Sequence, residues 1–230
     1  MTRVPRRAAA AIFDFDGLIL DTETPILEAW QAVYRSYGCE LGIEKWQHAL
    51  GTNNGFDPFA DLCTLTGLTI EREALQQQVT ERNWAQCERL PLLPGVVDVL
   101  DAAQALDLRT AVASSSSIAW LERWLGKHAI RARFDTICGR DDVARVKPEP
   151  DLFLLAASRL GVAPEACVVF EDSPNGMRAA RRAGMRCVAV PNNLTRQLAL
   201  PDPDLVVSSL AERPLAEMLQ MVGLGTPRER

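Results

Sequence analysis

The chain holds only two histidines, His48 and His128, among its 230 residues, and its six cysteines include no Cys-x-x-Cys pair. Neither a zinc site nor a disulfide framework is expected from so sparse a set. Basic clusters are missing as well: Lys and Arg number 25 against 30 Asp and Glu, for a net charge of −5. The cations are scattered, which gives no electrostatic footprint for nucleic acid or an anionic membrane surface. No internal repeat or low-complexity tract breaks the chain. The apolar run Ala8 to Phe13 after Arg6-Arg7 is too short for a twin-arginine export signal and meets Asp14 and Asp16 at once. The first seven residues read as a ragged terminus on a cytoplasmic protein. What the chain does have is 47% hydrophobic residues, enough to bury a core in one large domain or in a core with a smaller companion. Small-molecule chemistry is the function class left standing.

Short apolar runs at Ala9 to Phe15, Arg109 to Ala113, Ala166 to Phe170 and Arg186 to Val190 read as buried strands, with weaker ones at Phe134 to Cys138 and Leu205 to Val207. Between them lie helical segments with legible ends. These are Val96 to Leu106 after Pro94-Gly95, Ile118 to Leu125 before Gly126, Leu152 to Leu160 before Gly161, and Met177 to Ala183 before Gly184. Strand and helix alternate, which predicts an α/β fold: a doubly wound parallel sheet with helices on both faces, its ligands beyond the carboxyl ends of the strands.

From about Thr24 to Leu90 the rhythm changes. Ile26, Leu27, Trp30, Val33, Tyr34 and Tyr37 recur at helical spacing and no strand-like run appears before Pro91. The segment reads as a helical insert, with Gly51-Thr52-Asn53-Asn54-Gly55 as a turn between helices and Pro91 to Pro94 returning the chain to the core.

Asp14 and Asp16 close the first strand two residues apart, a spacing that turns both side chains toward one reacting centre. One carboxylate can attack while the other moves protons; read alone, the pair could equally be two solvated acids before a glycine turn. Ser114 and Ser115 follow the second strand, where hydroxyls and free backbone N–H groups can cradle a phosphate, although serines before a helix are ordinarily caps. Lys147, the only lysine between Lys127 and the C-terminus, stands in Val146-Lys147-Pro148-Glu149-Pro150, where the prolines stiffen the loop that presents it. Glu171 and Asp172 end a further strand, with Ser173 placed to cap and Pro174 at the first position of the next helix.

In a doubly wound sheet all these groups fall at one edge. Two carboxylates about 4 Å apart repel by roughly 4 kcal/mol at an effective dielectric near 20, and a phosphate dianion adds more. Something cationic must neutralise the cluster, and oxygen-only ligands suit Mg²⁺.

The order Asp14-Phe15-Asp16-Gly17, then Ser114, then Lys147-Pro148, then Glu171-Asp172-Ser173-Pro174-Asn175-Gly176, resembles the haloacid dehalogenase-like hydrolases, in particular the β-phosphoglucomutase-like subgroup. The resemblance runs from about Ala9 to Leu210. It implies a Rossmann-like core formed by residues 1–23 and 91–230, a helical cap at residues 24–90, and an aspartyl-phosphate intermediate. It also implies roles: Asp14 as nucleophile, Asp16 as general acid/base, and Ser114 and Lys147, with Ser115 beside them, on the transferring phosphoryl group. Asp14, the backbone carbonyl of Asp16, Glu171 and Asp172 would surround Mg²⁺ directly or through water.

Two positions depart from the sugar-phosphate mutases of that subgroup. Ile26 stands where they carry a histidine, and Asn54 falls where their cap loop carries an arginine that clamps a second phosphate. With no basic residue from Gly51 to Leu65, simple hydrolysis of a small phosphorylated metabolite is the leading reading. A phosphosugar mutase is the alternative. A receiver-type phospho-accepting domain is a third, though it leaves the helical insert and Asp16 unexplained. Thr52, Asn53 and Asn54, with Trp46, His48 and Phe56, are the candidates for substrate selection. Nothing in the sequence fixes an oligomeric state, a monomer being the default expectation.

Overall fold

Six parallel strands form the central sheet of the computed structural model, which describes residues 6–50 and 55–226. In chain order the strands are β1 (Arg6–Arg7), β2 (Ala10–Phe13), β3 (Arg109–Ala113), β4 (Thr136–Cys138), β5 (Cys167–Glu171), β6 (Arg186–Ala189), β7 (Leu205–Val206) and β8 (Leu224–Gly225). The sheet runs β4-β3-β2-β5-β6-β7, while β1 and β8 pair separately, also in parallel. Because the chain builds outward from β2 through β3 and β4 and then crosses to β5, the strand order reverses between β2 and β5. In open α/β sheets the ligand crevice lies beyond the strand ends at such a reversal.

Period-two alternation sorts the strand residues onto two apolar layers. Along β2, Ala11 and Phe13 face one layer, and Ala10 and Ile12 the other. The first layer is covered by α5 (Val96–Ala105), α6 (Ile118–Lys127) and α9 (Leu215–Met221), the second by α7 (Asp151–Leu160) and α8 (Pro174–Arg182). Phe13 lies flat on Phe170 of the neighbouring strand, with ring centroids 5.0 Å apart.

Between β2 and α5 the described residues form only helices: α1 (Glu23–Ser36), α2 (Ile43–Trp46), α3 (Pro58–Thr66) and α4 (Arg72–Cys87). They share an apolar cluster of their own, in which Leu27, Trp30 and Tyr34 meet Leu62, Leu75 and Val79. Local chemistry sets the bounds of α3: Asp57 caps it by accepting from the N–H groups of Phe59 and Ala60, Pro58 occupies the first turn, and Gly67 closes it in the left-handed region. All six cysteines are free, and burial pushes the thiols of Cys87 and Cys167 up to about 12, which leaves them protonated and inert. No helix among the described residues is long and apolar enough to cross a membrane.

Several expected boundaries are corrected. Arg6–Arg7 is not ragged but pairs with Leu224–Gly225, a two-residue ladder too short to leave a periodic signal. Helix α6 runs through Gly126 to Lys127, and the left-handed turn that ends it is taken by Ala129 at φ 56°. The periodic run Met177 to Ala183 extends back to Pro174, where the cap expected at Ser173 forms by accepting from Gly176 N–H. The first strand stops at Phe13 rather than Phe15, and Tyr37 lies past the end of α1.

Candidate active site

Asp14 is the first residue beyond β2, anchored by its N–H to the Phe170 carbonyl at 3.0 Å. The chain then turns through Gly17, whose φ of 85° favours glycine and whose N–H reaches Leu20 O at 2.7 Å. A Cβ at Gly17 would fall 2.4 Å from Asp172 Oδ2, so the turn also keeps room for that carboxylate.

Lys147 is buried, and its ammonium sits 2.7 Å from Asp14 Oδ1 and 2.6 Å from Glu171 Oε1, above the Phe153 ring. The peptide bond that follows it is cis. Burial alone would lower the lysine's pKa; the charges of Asp14 and Glu171 outweigh it and hold the pKa above the ordinary lysine value. Burial, and after it the charge of Glu171, holds both Asp14 and Asp172 well above the usual carboxylate range, against the pull of Lys147.

Glu171 and Asp172 leave the end of β5 beside this cation. Glu171 Oε2 accepts from the backbone N–H and the hydroxyl of Ser173, so both of its oxygens are held. Asp172 Oδ2 accepts from Asn192 Nδ2 at 2.7 Å, whereas the buried Asp172 Oδ1 has no hydrogen-bond partner among the described residues. One oxygen each from Asp14, Glu171 and Asp172 lie within 4.8 Å of one another. An all-oxygen, anionic set with an orphaned buried acceptor fits a hard divalent cation such as Mg²⁺.

Asp16 is turned elsewhere. Its carboxylate is not part of that acidic cluster but accepts four hydrogen bonds. Oδ2 takes the hydroxyls of Ser114 at 3.0 Å and Ser116 at 2.7 Å, and Oδ1 takes Thr22 Oγ1 at 2.7 Å and Trp120 Nε1 at 2.9 Å. Ser115 is buried next to this set. Thr22, Trp120 and Asn192 are not among the expected site residues, and Ser116 is expected only within the serine run that could cradle a phosphate. Ser116 had a signal, the serine run after β3; a lone tryptophan, threonine or asparagine has none.

Asp14, Asp16, Ser114, Ser115 and Lys147 open into one cavity of about 400 Å³. Its opposite wall comes from the helical segment. Ile26, Trp30, Trp46 and Phe56 are the apolar part, Glu23 and Asp57 the acidic part, and Gln76 and Asn83 supply carboxamides. His48 lies on a different cavity, beside Pro174 and Arg178. Thr52, Asn53 and Asn54 lie outside the described residues.

Residues 11–190 match the family described as haloacid dehalogenase-like hydrolase. YhcW of Bacillus subtilis strain 168 is 44% identical over 210 residues, covering 91% of this chain and 96% of its own length. Fructose-1-phosphate phosphatase YqaB of Escherichia coli K12 is 37% identical over 188 residues, 80% of this chain and 97% of its own. Among solved structures, a variant of CbbY from Rhodobacter sphaeroides in complex with xylulose-1,5-bisphosphate is 31% identical. It aligns with a TM-score of 0.74 over 89% of this chain and 96% of that one.

Proposed function

We propose that this chain, which belongs to the haloacid dehalogenase-like hydrolase family, is a phosphatase that hydrolyses a small phosphorylated metabolite with Mg²⁺ through an aspartyl-phosphate on Asp14. The observation that carries this reading is the division of labour between two carboxylates on one cavity: Asp14 beside a buried ammonium, Asp16 on a set of neutral donors.

In the first half-reaction an Asp14 oxygen attacks phosphorus, the ester O–P bond breaks, and Asp16 gives its proton to the departing alkoxide. In the second, Asp16 takes a proton from water as that water attacks phosphorus, and the Asp14–phosphorus bond breaks to release inorganic phosphate. Lys147 and Ser114, with Ser115 beside them, hold the transferring oxygens. Mg²⁺ would be held by Asp14, the backbone carbonyl of Asp16, Glu171 and Asp172, directly or through water; bound there, it neutralises charge on the phosphoryl group. The acid/base Asp16 lies outside the buried acidic cluster, which favours separate metal and proton-transfer roles.

Residues 24–90 act as a cap over a core of residues 1–23 and 91–230. They supply the apolar and carboxamide wall of the cavity, and its described residues include no cation from this segment. Ile26 lies on that wall where a mutase carries histidine, which favours hydrolysis over phosphoryl return to a second hydroxyl.

A panel of phosphorylated metabolites with Mg²⁺, scored by released phosphate, tests the reading. Asp14→Asn should abolish release and excess chelator should silence the wild type. A folded Asp14→Asn protein with comparable activity, or undiminished turnover in chelator, would overturn it.

A further inference from the structure

The four donors on Asp16 are not equivalent. Thr22, Ser114 and Ser116 are hydroxyls, whose hydrogens rotate to suit any acceptor nearby. Trp120 offers an indole N–H, a donor with one fixed direction set by the ring. The ring itself is held hard. Trp120, Arg123, Trp124 and Lys127 recur at helical spacing along α6 and form one seam against the C-terminal end of α4. In that seam Trp120 meets Trp84 edge-on at 6.0 Å and Trp124 at 5.3 Å, Arg123 covers the Trp84 ring at 4.5 Å, and Arg123 and Lys127 both pair with Glu88. Ser117, whose hydroxyl accepts from the backbone N–H of Trp120, fixes the start of the helix on the other side.

We propose that Trp120 is a positioning residue for Asp16, its clamped indole N–H setting where the Oδ1 oxygen points. Trp84 ties that orientation to the helical segment over the cavity. The proposal rests on the reading of Asp16 as general acid/base. A carboxylate held only by three rotating hydroxyls would wander between orientations, whereas proton delivery to a leaving oxygen needs one. Trp120 does not act on the substrate in this account; it acts through Asp16.

The test uses leaving groups. An alkyl phosphate needs a proton on its departing oxygen, whereas 4-nitrophenyl phosphate does not; both need Asp16 as base when water attacks the aspartyl-phosphate. Asp16→Asn should therefore release one equivalent of nitrophenolate in a burst, stall as the acyl-phosphate, and barely turn over the alkyl substrate. Trp120→Phe keeps the ring and removes the N–H. It should show the same pattern in milder form: a retained burst, steady-state turnover and alkyl-phosphate kcat down roughly 10- to 100-fold, and KM not raised for either substrate. A second measurement needs no loss of activity. Of the five indole N–H signals in the NMR spectrum, the one missing in Trp120→Phe should be the one that shifts most in Asp16→Asn.

If Asp16→Asn behaves as described while Trp120→Phe raises KM with kcat intact, or slows burst and turnover alike, the positioning role of Trp120 falls and the acid/base reading stands. An unmoved Trp120 indole signal in Asp16→Asn also sinks it. If Asp16→Asn turns over both substrates normally, the acid/base reading fails first and takes the proposal with it.

Discussion

Asn192 donates its amide to Asp172 Oδ2 at 2.7 Å and leaves the buried Asp172 Oδ1 without a hydrogen-bond partner among the described residues. Asn192 is itself locked: its Oδ1 accepts the N–H groups of Leu194 and Thr195, and its Nδ2 also reaches Gly17 O at 3.2 Å. The asparagine thus holds one oxygen and frees the other. Asn192→Ala should raise the Mg²⁺ concentration for half-maximal activity by about 10- to 100-fold, the usual cost of losing a partner behind a metal ligand, with kcat at saturating Mg²⁺ changed little. Mg²⁺ activation curves and calorimetric titration of the metal into the protein measure it. An unchanged curve would remove Asn192 from the site.

Gly176 presses against the carboxylate it helps to seat. A Cβ at this position would fall 1.6 Å from Glu171 Oε1, the oxygen that faces Lys147. Glu171 has no slack, being held by Ser173 on its other oxygen. Gly176→Ala should therefore destabilise the fold by about 1–3 kcal/mol, the range for overpacking a filled site, and reduce activity with it. Gly126→Ala is the control. It is the next-to-last residue of α6, helical and with nothing within 4 Å of its missing Cβ, so alanine should be tolerated and stabilise by up to about 0.5 kcal/mol through helix propensity. Chemical denaturation of both variants decides the comparison.

The two glycines mark where sequence reading works and where it stops. Strand Arg109–Ala113 and the αL stop at Gly161 are legible because each depends on local chemistry: an apolar run, or a glycine closing a periodic helix. Gly126 looks like the same signal and is not, since α6 runs through it and the left-handed residue that ends the helix is Ala129. The paired acids, Ser114 and Lys147 are legible because they stand in short motifs whose order along the chain brings them to one edge of a doubly wound sheet. Thr22, Trp120 and Asn192 serve the same carboxylates from 6, 104 and 20 residues away in the chain. Their residue types are ordinary at their positions, so only the fold reveals them.

Burial and Glu171 raise the folded-state pKa of Asp172 above its unfolded value. The sign follows from linkage: ionising Asp172 costs stability in the metal-free fold, so its contribution is most favourable below the unfolded pKa and is lost as pH rises through the folded one. Removing the charge should help where the wild type would be ionised. Metal-free Asp172→Asn is expected to melt above metal-free wild type at pH 8, with the gap closing as pH falls toward the ordinary carboxylate range near 4. Saturating Mg²⁺ should reverse the order, because only the wild type gains the cation. Thermal melts of both proteins across pH, with and without metal, read this directly. A gap that widens on acidification would contradict the assigned shift.

The cavity wall argues for a substrate with one phosphate. Opposite Asp14 it offers Ile26, Trp30, Trp46 and Phe56, the acids Glu23 and Asp57, and the carboxamides of Gln76 and Asn83. A second phosphate dianion placed against that wall meets the carboxylate of Glu23 rather than a clamp, and the nearby Asp57 already holds Arg72 in an ion pair at 3.0 Å. Two unit charges about 8 Å apart cost about 2 kcal/mol at an effective dielectric near 20, before salt screening reduces it. Carboxamides and aromatic faces suit the hydroxyls and C–H edges of a sugar or polyol instead. The kcat/KM for fructose 1-phosphate should therefore exceed that for fructose 1,6-bisphosphate, by about fivefold if half of that repulsion survives screening. Raising ionic strength should narrow the gap, and Ile26→Lys, which puts a cation on the wall, should narrow it further. CbbY was crystallised with a bisphosphate, so equal or better use of the bisphosphate here would mean that this wall recruits a cation from elsewhere in the chain. Conversion of β-glucose 1-phosphate to glucose 6-phosphate at a rate rivalling hydrolysis would restore the mutase reading.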